Sequence, residues 1–218
     1  MARAIWKGVI RFEDVEVPVK LYSAVEDRGV HFRLLHEPDL VPVQQKMVHS
    51  VTEEPVPHED TRRGVETGEG MVVLEEDELG RLEPEPSRDI RIHRFVPPDA
   101  IDHRWYVRPY WLGPDESAPA CAALAAALER AGREGVATWT MRKKEYRGAL
   151  RVREGRLMLV TLRHAGEVVD TGELGVPAGR SLSGPERKMA VQLVEALSGD
   201  FEPEEWRDEY RDRVLELV

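Results

Sequence analysis

Apolar and polar side chains alternate along much of the first half of the chain, which is the period-two pattern of β-strands. The alternation over residues 10–22 slips at Glu13 and Asp14, and so predicts two strands joined by a turn. Residues 30–36, VHFRLLH, predict a further strand, and the proline-broken segment EPDLVPVQQKMVHS that follows predicts an extended excursion. This half of the chain is therefore expected to be rich in β-structure.

The middle of the chain continues this pattern with one short helical interruption. Met71 to Leu74 predicts a strand, and Glu75 to Leu82 predicts a short helix that ends before two prolines. Strand periodicity resumes in the segment IRIHRF, where either Arg94 or Phe95 continues the alternation of the two isoleucines. Residues 105–112 predict another strand.

The period changes from two to 3.6 residues in the alanine-rich run from Ala118 to Ala131, which predicts a helix with Gly132 as its stop. Four residues with helical spacing form the apolar face of this helix: Cys121, Leu124, Ala125 and Leu128.

A basic stretch lies between two further predicted strands, Val136 to Met141 and Leu157 to Leu162, with Gly155 at a turn. This stretch, RKKEYRGALRVREGR, carries seven basic and two acidic residues, although the formal net charge of the whole chain is −10. That net charge argues against a protein that coats nucleic acid with its entire surface. Any contact with DNA is expected to come from a local basic patch.

The last part of the chain predicts two helices after a β-rich core of residues 1–170. Ser183 and Glu186 have the spacing of a capping box, which predicts a helix that continues through Ser198. A second helix is predicted to begin near Pro203. Four of its residues would share one face: Trp206, Tyr210, Val214 and Leu217.

Composition and missing motifs narrow the class of protein. Cys121 is the single cysteine, and no apolar run reaches the roughly 18 residues of a membrane span, so we expect a cytoplasmic chain that does not bind membranes. The sequence contains no nucleophile elbow, P-loop, dinucleotide fingerprint or zinc-protease motif. His49 and His58 match no zinc spacing. We therefore expect no enzymatic activity, no metal and no cofactor.

Two groups of side chains are candidates for binding, and each also has an ordinary structural interpretation. The basic group is expected to contact DNA phosphates without reading sequence, although such charge runs are often solvated turns. Trp206 and Tyr210 could pack into a core or form a surface for a protein partner. The basic group consists of Arg142, Lys143, Lys144 and Arg147.

The opening ARAIWKG, followed by VPVKLYSAVED, resembles the start of prokaryotic Ku proteins. The similarity continues in order through FRLLH, MVVLEEDEL, SRDIRI, RFVPPDAID, RPYWLGPD, ALRVREG and LVTLRHAGEV, and ends in LVEALSGDFEPEEWRDEYRDRVLELV. This resemblance implies a mainly β fold with α: a Ku-core β-barrel, a long bridging excursion over about residues 36–64 and a helical C-terminal region over 171–218. It also implies a ring-shaped homodimer that holds double-stranded DNA ends in non-homologous end joining and recruits a ligase D-type DNA ligase.

The resemblance places further DNA contacts at Lys46, Arg62 and Arg63 in the bridge, with Arg33 at its base. It assigns the basic group to a DNA-binding loop, and the helix with Trp206 and Tyr210 to ligase recruitment. Many relatives carry a C-x-x-C pair and several arginines in the bridge, where this chain has HSVT and VQQKM. Fewer bridge cations would lower DNA affinity and its dependence on salt.

Two alternatives remain open. The net charge and the depleted bridge also fit a protein-interaction scaffold with weak DNA affinity. The acidic run Glu75 to Glu78 would be the site of a metal-dependent nuclease, although such runs are mostly solvated helix starts. The Ku-like interpretation expects DNA ends as the ligand and the nucleoid as the place of action.

Overall fold

A computed structural model describes residues 3–175 and 179–218 of the chain. Ala2 in the ARAIWKG motif and residues 176–178 of the predicted helical tail lie outside the described residues. The chain forms two compact units, one of Met1–Glu26 with Leu34–Val168 and the other of Asp27–Arg33 with Val169–Val218. The functional division after residue 170 stays a prediction.

Seven strands of the first unit close into a β-barrel in the order β1-β2-β6-β9-β8-β7-β5. Neighbouring strands are antiparallel except for the parallel pair β1 and β5. The predicted mainly β fold with a barrel core is confirmed. The barrel strands are β1 (Trp6–Phe12), β2 (Val15–Ser23), β5 (Asp89–Val96), β6 (Tyr106–Pro114), β7 (Glu134–Met141), β8 (Lys144–Arg153) and β9 (Arg156–Leu162).

Alternation explains why these segments form a closed barrel, since every second side chain points inward and removes apolar area from water. The helix α2 (Ala118–Ala131) packs against the barrel, and the left-handed Gly132 ends it, as the sequence predicts. Its buried residues are the four with the predicted helical spacing, Cys121, Leu124, Ala125 and Leu128. Inside the barrel the fully buried side chains include Ile10, Val19, Leu21, Ile90, Leu150 and Leu159.

A buried ion pair joins strands β7 and β8 near the end of α2. Glu134 is 3% exposed, and its carboxylate lies 2.5 Å from the Arg151 Nε and accepts a hydrogen bond from the Tyr106 hydroxyl at 3.0 Å. The Arg151 guanidinium also lies 4.8 Å from the centroid of the Tyr106 ring. Burial, together with the hydrogen bond to Glu134, raises the pKa of Tyr106 to about 12.

The excursion between β2 and β5 contains β3 (Arg63–Thr67), β4 (Gly70–Leu74) and α1 (Glu76–Arg81). The predictions of β4 and α1 are confirmed. The strand β3, which pairs with β4, is not predicted, because its sequence is mostly polar. The strand predicted over residues 30–36 is wrong: the segment forms one isolated bridge, between Leu35 and Pro42. Alternation alone makes no strand where no neighbouring strand is available for hydrogen bonding.

The sequence predicts that the basic stretch joins two strands. Most of the stretch instead forms a strand of its own, β8 (Lys144–Arg153). Its inward positions are Tyr146, Gly148 and Leu150, so the period of two is present but is masked by charged residues on the outer face. In β5 the alternation passes to Phe95 rather than Arg94, and the Phe95 ring lies 5.4 Å from the Phe12 ring. A β-bulge between Ile92 and Arg94 causes this shift.

The second unit contains α3 (Gly184–Ala196) and α4 (Glu209–Leu217), so the two predicted tail helices are confirmed. The backbone N–H and the hydroxyl of Ser183 each donate to Glu186 at 2.8 Å, as the capping box predicts. Arg180 and then Ser183 lower the pKa of Glu186 to about 2. Trp206 is not part of α4, because the chain passes through a 3₁₀ turn at Pro203–Glu205 before the helix begins.

Candidate nucleic-acid interface

A two-residue turn between β7 and β8 presents Arg142 and Lys143, with φ angles of 51° and 63°. Positive φ at both central residues is typical of type I′ hairpins, which favour asparagine and glycine. Lys143 donates to Glu83 at 3.1 Å, whereas Arg142 and Lys144 make no side-chain hydrogen bond or ion pair in the described part of the chain. Arg142 and Lys144 are therefore available to bind phosphate, whereas Lys143 is paired.

The β-bulge in β5 turns a second pair of cations toward the outer face of the barrel. Strict alternation would point Arg91 outward and Arg94 inward, but the extra residue pairs Arg91 with Thr138 and Arg94 with Val136 on the same face of β7. Both arginines are exposed, and within residues 3–175 and 179–218 neither side chain has a hydrogen-bonding or charged partner. These two phosphate-binding candidates were missed by the sequence analysis.

Arg147 extends this outer face onto β8, where it stands opposite Thr138. Its guanidinium contacts His164 Nδ1 at 2.8 Å and Glu145 at 3.3 Å. Because both partners are exposed, the arginine stays accessible to solvent on the barrel wall. We call Arg91, Arg94 and Arg147 the barrel cation face.

The predicted bridge cations lie in a different environment. Arg62 and Arg63 line a cavity of about 630 Å³ together with carboxylates of the excursion and of α1. Lys46 is exposed in the excursion and has no side-chain partner among the described residues. The acidic side chains of the cavity weaken the attraction of this region for phosphate. They are Glu59, Glu75, Glu76 and Asp77.

The acidic run of α1 forms the start of a helix, since the Glu78 carboxylate accepts the backbone N–H of Glu75 at 3.0 Å in a capping box. His49 accepts the backbone N–H groups of Val51 and Thr52, each at 3.3 Å. Over the described residues the structure has no group of three or more histidine, cysteine or carboxylate side chains that could hold a metal ion. The same residues include no helix long and apolar enough to cross a membrane.

Three predicted site residues lie in the second unit and are described without reference to the barrel. Arg33 is exposed. Trp206 and Tyr210 are 75% and 61% exposed, so neither is part of a core, and the Trp206 ring stacks on Phe201 with centroids 6.2 Å apart. The core-packing interpretation of these aromatic residues is thereby excluded.

A comparison of the sequence with known protein families shows to which family the barrel belongs. The family model of the Ku70/Ku80 beta-barrel domain matches residues 11–190. The chain belongs to the Ku family.

Several bacterial Ku proteins are similar to the chain over nearly its whole length. The "Non-homologous end joining protein Ku 2" of Geotalea uraniireducens is 37% identical over 98% of this chain and 84% of its own length. The corresponding Ku protein of Anaeromyxobacter is 39% identical, with 100% and 75% covered. "Non-homologous end joining protein Ku 1" of Saccharopolyspora erythraea is 37% identical, with 100% and 68% covered. The resemblance to prokaryotic Ku is therefore confirmed.

Proposed function

We propose that this Ku-family chain binds the ends of double-stranded DNA without reading sequence, as a ring-shaped homodimer in the repair of breaks by non-homologous end joining. It acts without a chemical step or a cofactor of its own, and it works at the nucleoid in the cytoplasm. The names of the bacterial relatives support the repair pathway. The barrel cation face is the observation that carries the DNA contact.

The charge distribution supports backbone binding rather than base reading. The chain has a net charge of −10, yet Arg91 and Arg94 stand exposed and unpaired among the described residues, on the same wall as Arg147. Flexible arginines on a sheet contact phosphates and carry no sequence information. With Arg142 and Lys144 at the nearby turn, this wall is the phosphate-binding surface that we assign to the barrel.

Exposed apolar side chains in the excursion support a homodimer. Leu34 is 72% and Val51 is 83% exposed, and five further apolar residues of the segment are at least half exposed: Leu40, Val41, Val43, Met47 and Val48. A monomeric protein rarely leaves a contiguous apolar segment in water. We propose that a second copy of the chain buries these apolar side chains. Two identical excursions that meet about a twofold axis would bury each other's apolar side chains and enclose a hole between the two copies. Lys46, Arg62, Arg63 and Arg33 are proposed to line or flank this hole.

The helices of the second unit support recruitment of a protein partner, which we propose is a ligase D-type DNA ligase. Leu193, Val194 and Leu197 form an exposed stripe on and just after α3, and Trp206 and Tyr210 are also exposed. Acidic residues surround the two aromatic residues in the sequence, so this region would repel DNA. Aromatic side chains within a polar rim suit a protein interface.

A gel-shift comparison tests the proposal. Linear duplex and a covalently closed circle of the same sequence are incubated with the protein at about 50 and 200 mM salt, the range over which phosphate contacts show their salt dependence. The proposal expects binding to the linear form only. The variant Arg91→Gln/Arg94→Gln should flatten the log–log salt slope by about 1.8. Equal binding to both DNA forms would remove end recognition.

A scaffold with weak DNA affinity is the second candidate. It is favoured by the pairing of Lys143 with Glu83 and by the carboxylates that share a cavity with Arg62 and Arg63. This alternative expects binding to a ligase without measurable retention of blunt duplex. Tight and salt-sensitive binding of duplex ends would reject it.

A further inference from the structure

A groove on the barrel wall combines an apolar floor with a cationic rim. It has a volume of about 470 Å³, which lies within the range of about 300–1,000 Å³ typical of small-ligand sites. Val136 and Leu162 contribute to the floor, and the indole of Trp105 forms part of the wall. The rim carries His93, Arg94, Arg147 and Arg163, and none of the described residues that line the groove is acidic.

A backbone hydrogen bond places Trp105 beside one of these cations on neighbouring chain segments. The N–H of Arg163, just after β9, donates to the carbonyl of Trp105, just before β6, at 2.8 Å. The Arg163 side chain is exposed and makes no hydrogen bond or ion pair in the part of the chain that the structure describes. An aromatic plane and a free guanidinium therefore stand on adjacent chain segments and face one cavity.

Two acidic residues adjoin lining residues in the sequence: Asp99 is exposed, and Asp102 is paired with a cation. The Asp102 carboxylate accepts the Arg104 Nε at 2.8 Å and the Arg104 backbone N–H at 2.9 Å, and this pairing lowers the pKa of Asp102. His93 Nε2 and the Thr138 hydroxyl are hydrogen-bonded to each other at 2.8 Å. The groove therefore attracts anions but offers few free polar groups for reading a base edge.

We propose that this groove takes one unpaired nucleotide at a DNA terminus, with its base against Trp105 and its phosphate between Arg94 and Arg163. Stacking on an aromatic plane tolerates any base, because every base has a π-face. Arginine binds phosphate through a planar fork of donors. The inference rests on the proposed function and adds to it a preference for frayed or overhanging ends over blunt ends.

The test measures equilibrium binding of the full chain to hairpin-capped duplexes that have one free end, either blunt or with a short single-stranded overhang. Base stacking of the size seen on other aromatic platforms predicts at least about fivefold tighter binding of the overhang. Trp105→Leu and, separately, Arg163→Gln should abolish this advantage and leave blunt-end affinity unchanged. Arg153→Gln is the matched control, because Arg153 is exposed, has no partner among the described residues and does not line the groove.

Photo-crosslinking keeps the proposal testable if Trp105→Leu fails to fold. A 5-iododeoxyuridine at the overhang should crosslink to the peptide that contains Trp105, identified by mass spectrometry, and Arg163→Gln should reduce the yield. Equal affinity of the wild type for blunt and overhanging ends, or a preference that survives Arg163→Gln, overturns the nucleotide site while end binding still stands. Displacement by free deoxynucleotide without any overhang preference also overturns it. Absence of all end binding would instead refute the proposed function.

Discussion

The residues at the turn between β7 and β8 are expected to lower the stability of the fold while they favour DNA binding. Arg142 and Lys143 both have positive φ, a conformation that costs a residue with a side chain roughly 1–2 kcal/mol. The variant Arg142→Asn/Lys143→Gly installs the residue pair that type I′ hairpins prefer. It also removes Arg142, one of the predicted phosphate contacts, so stability and DNA binding should change in opposite directions.

The magnitude follows from three contributions. Relief of the left-handed strain gains roughly 2–4 kcal/mol over the two positions, with the smaller share at Arg142→Asn, which keeps a side chain at positive φ. Loss of the exposed Lys143–Glu83 pair costs at most about 1 kcal/mol, and the extra freedom of glycine in the unfolded chain removes a further part of the gain. We expect a net gain near 1 kcal/mol in the free energy of unfolding, which corresponds to a rise in Tm of about 2–4 °C for a chain of this size.

Thermal unfolding and a salt series of DNA-binding measurements test the two halves of this prediction. Removal of the Arg142 contact should flatten the log–log salt slope by about 0.9, because Lys143 is already paired with Glu83. Arg153→Gln serves as the control for loss of a single exposed arginine outside the turn. A variant that is less stable than the wild type would refute the strain argument, and an unchanged slope would refute the phosphate contact of Arg142.

Three further predictions concern single carboxylates. Glu83→Gln frees Lys143 and should strengthen DNA binding and steepen the salt slope by about 0.9; unchanged binding would show that Lys143 does not contact phosphate. Glu134→Ala leaves the partly exposed Arg151 without its buried partner and should lower the free energy of unfolding in urea by about 3 kcal/mol, whereas a loss under about 1 kcal/mol would contradict the account of that ion pair. Glu186→Gln removes a carboxylate whose pKa is lowered from 4.5 to about 2, so its stabilisation of α3 is complete above pH 4.5 and disappears as the pH falls to about 2. Circular dichroism should show less helix in this variant at pH 7 and equal helix near pH 2; a constant difference would contradict the linkage.

Much of the barrel could be predicted from the sequence, because its strands and α2 carry their own local signals. The helix has four apolar residues at helical spacing and a glycine stop, and both of its ends are where the sequence predicts them. The hairpin of β1 and β2 was indicated by the slip at Glu13 and Asp14, and the turn lies there. Local periodicity is sufficient wherever one face of an element is buried and the other is in water.

The failures share a different physical cause, since each depends on what a segment pairs with. Residues 30–36 alternate but form no strand, and β8 pairs on both sides although charged residues mask its periodicity. The β-bulge at Ile92/Arg94 cannot be read from period two, and so the sequence leaves open whether Arg94 or Phe95 continues the alternation. The cluster of cations in the segment RDIRIHRF is the signal that could have indicated Arg91 and Arg94 as phosphate contacts.

A topological trap tests the central claim most directly. The protein is loaded onto a linear duplex with complementary ends, the duplex is then ligated into a closed circle, and the salt concentration is raised to screen phosphate contacts. A closed ring of two copies predicts that the protein stays on the circle and leaves only after the DNA is cut. Release from the intact circle at the same rate as from linear DNA would contradict the account.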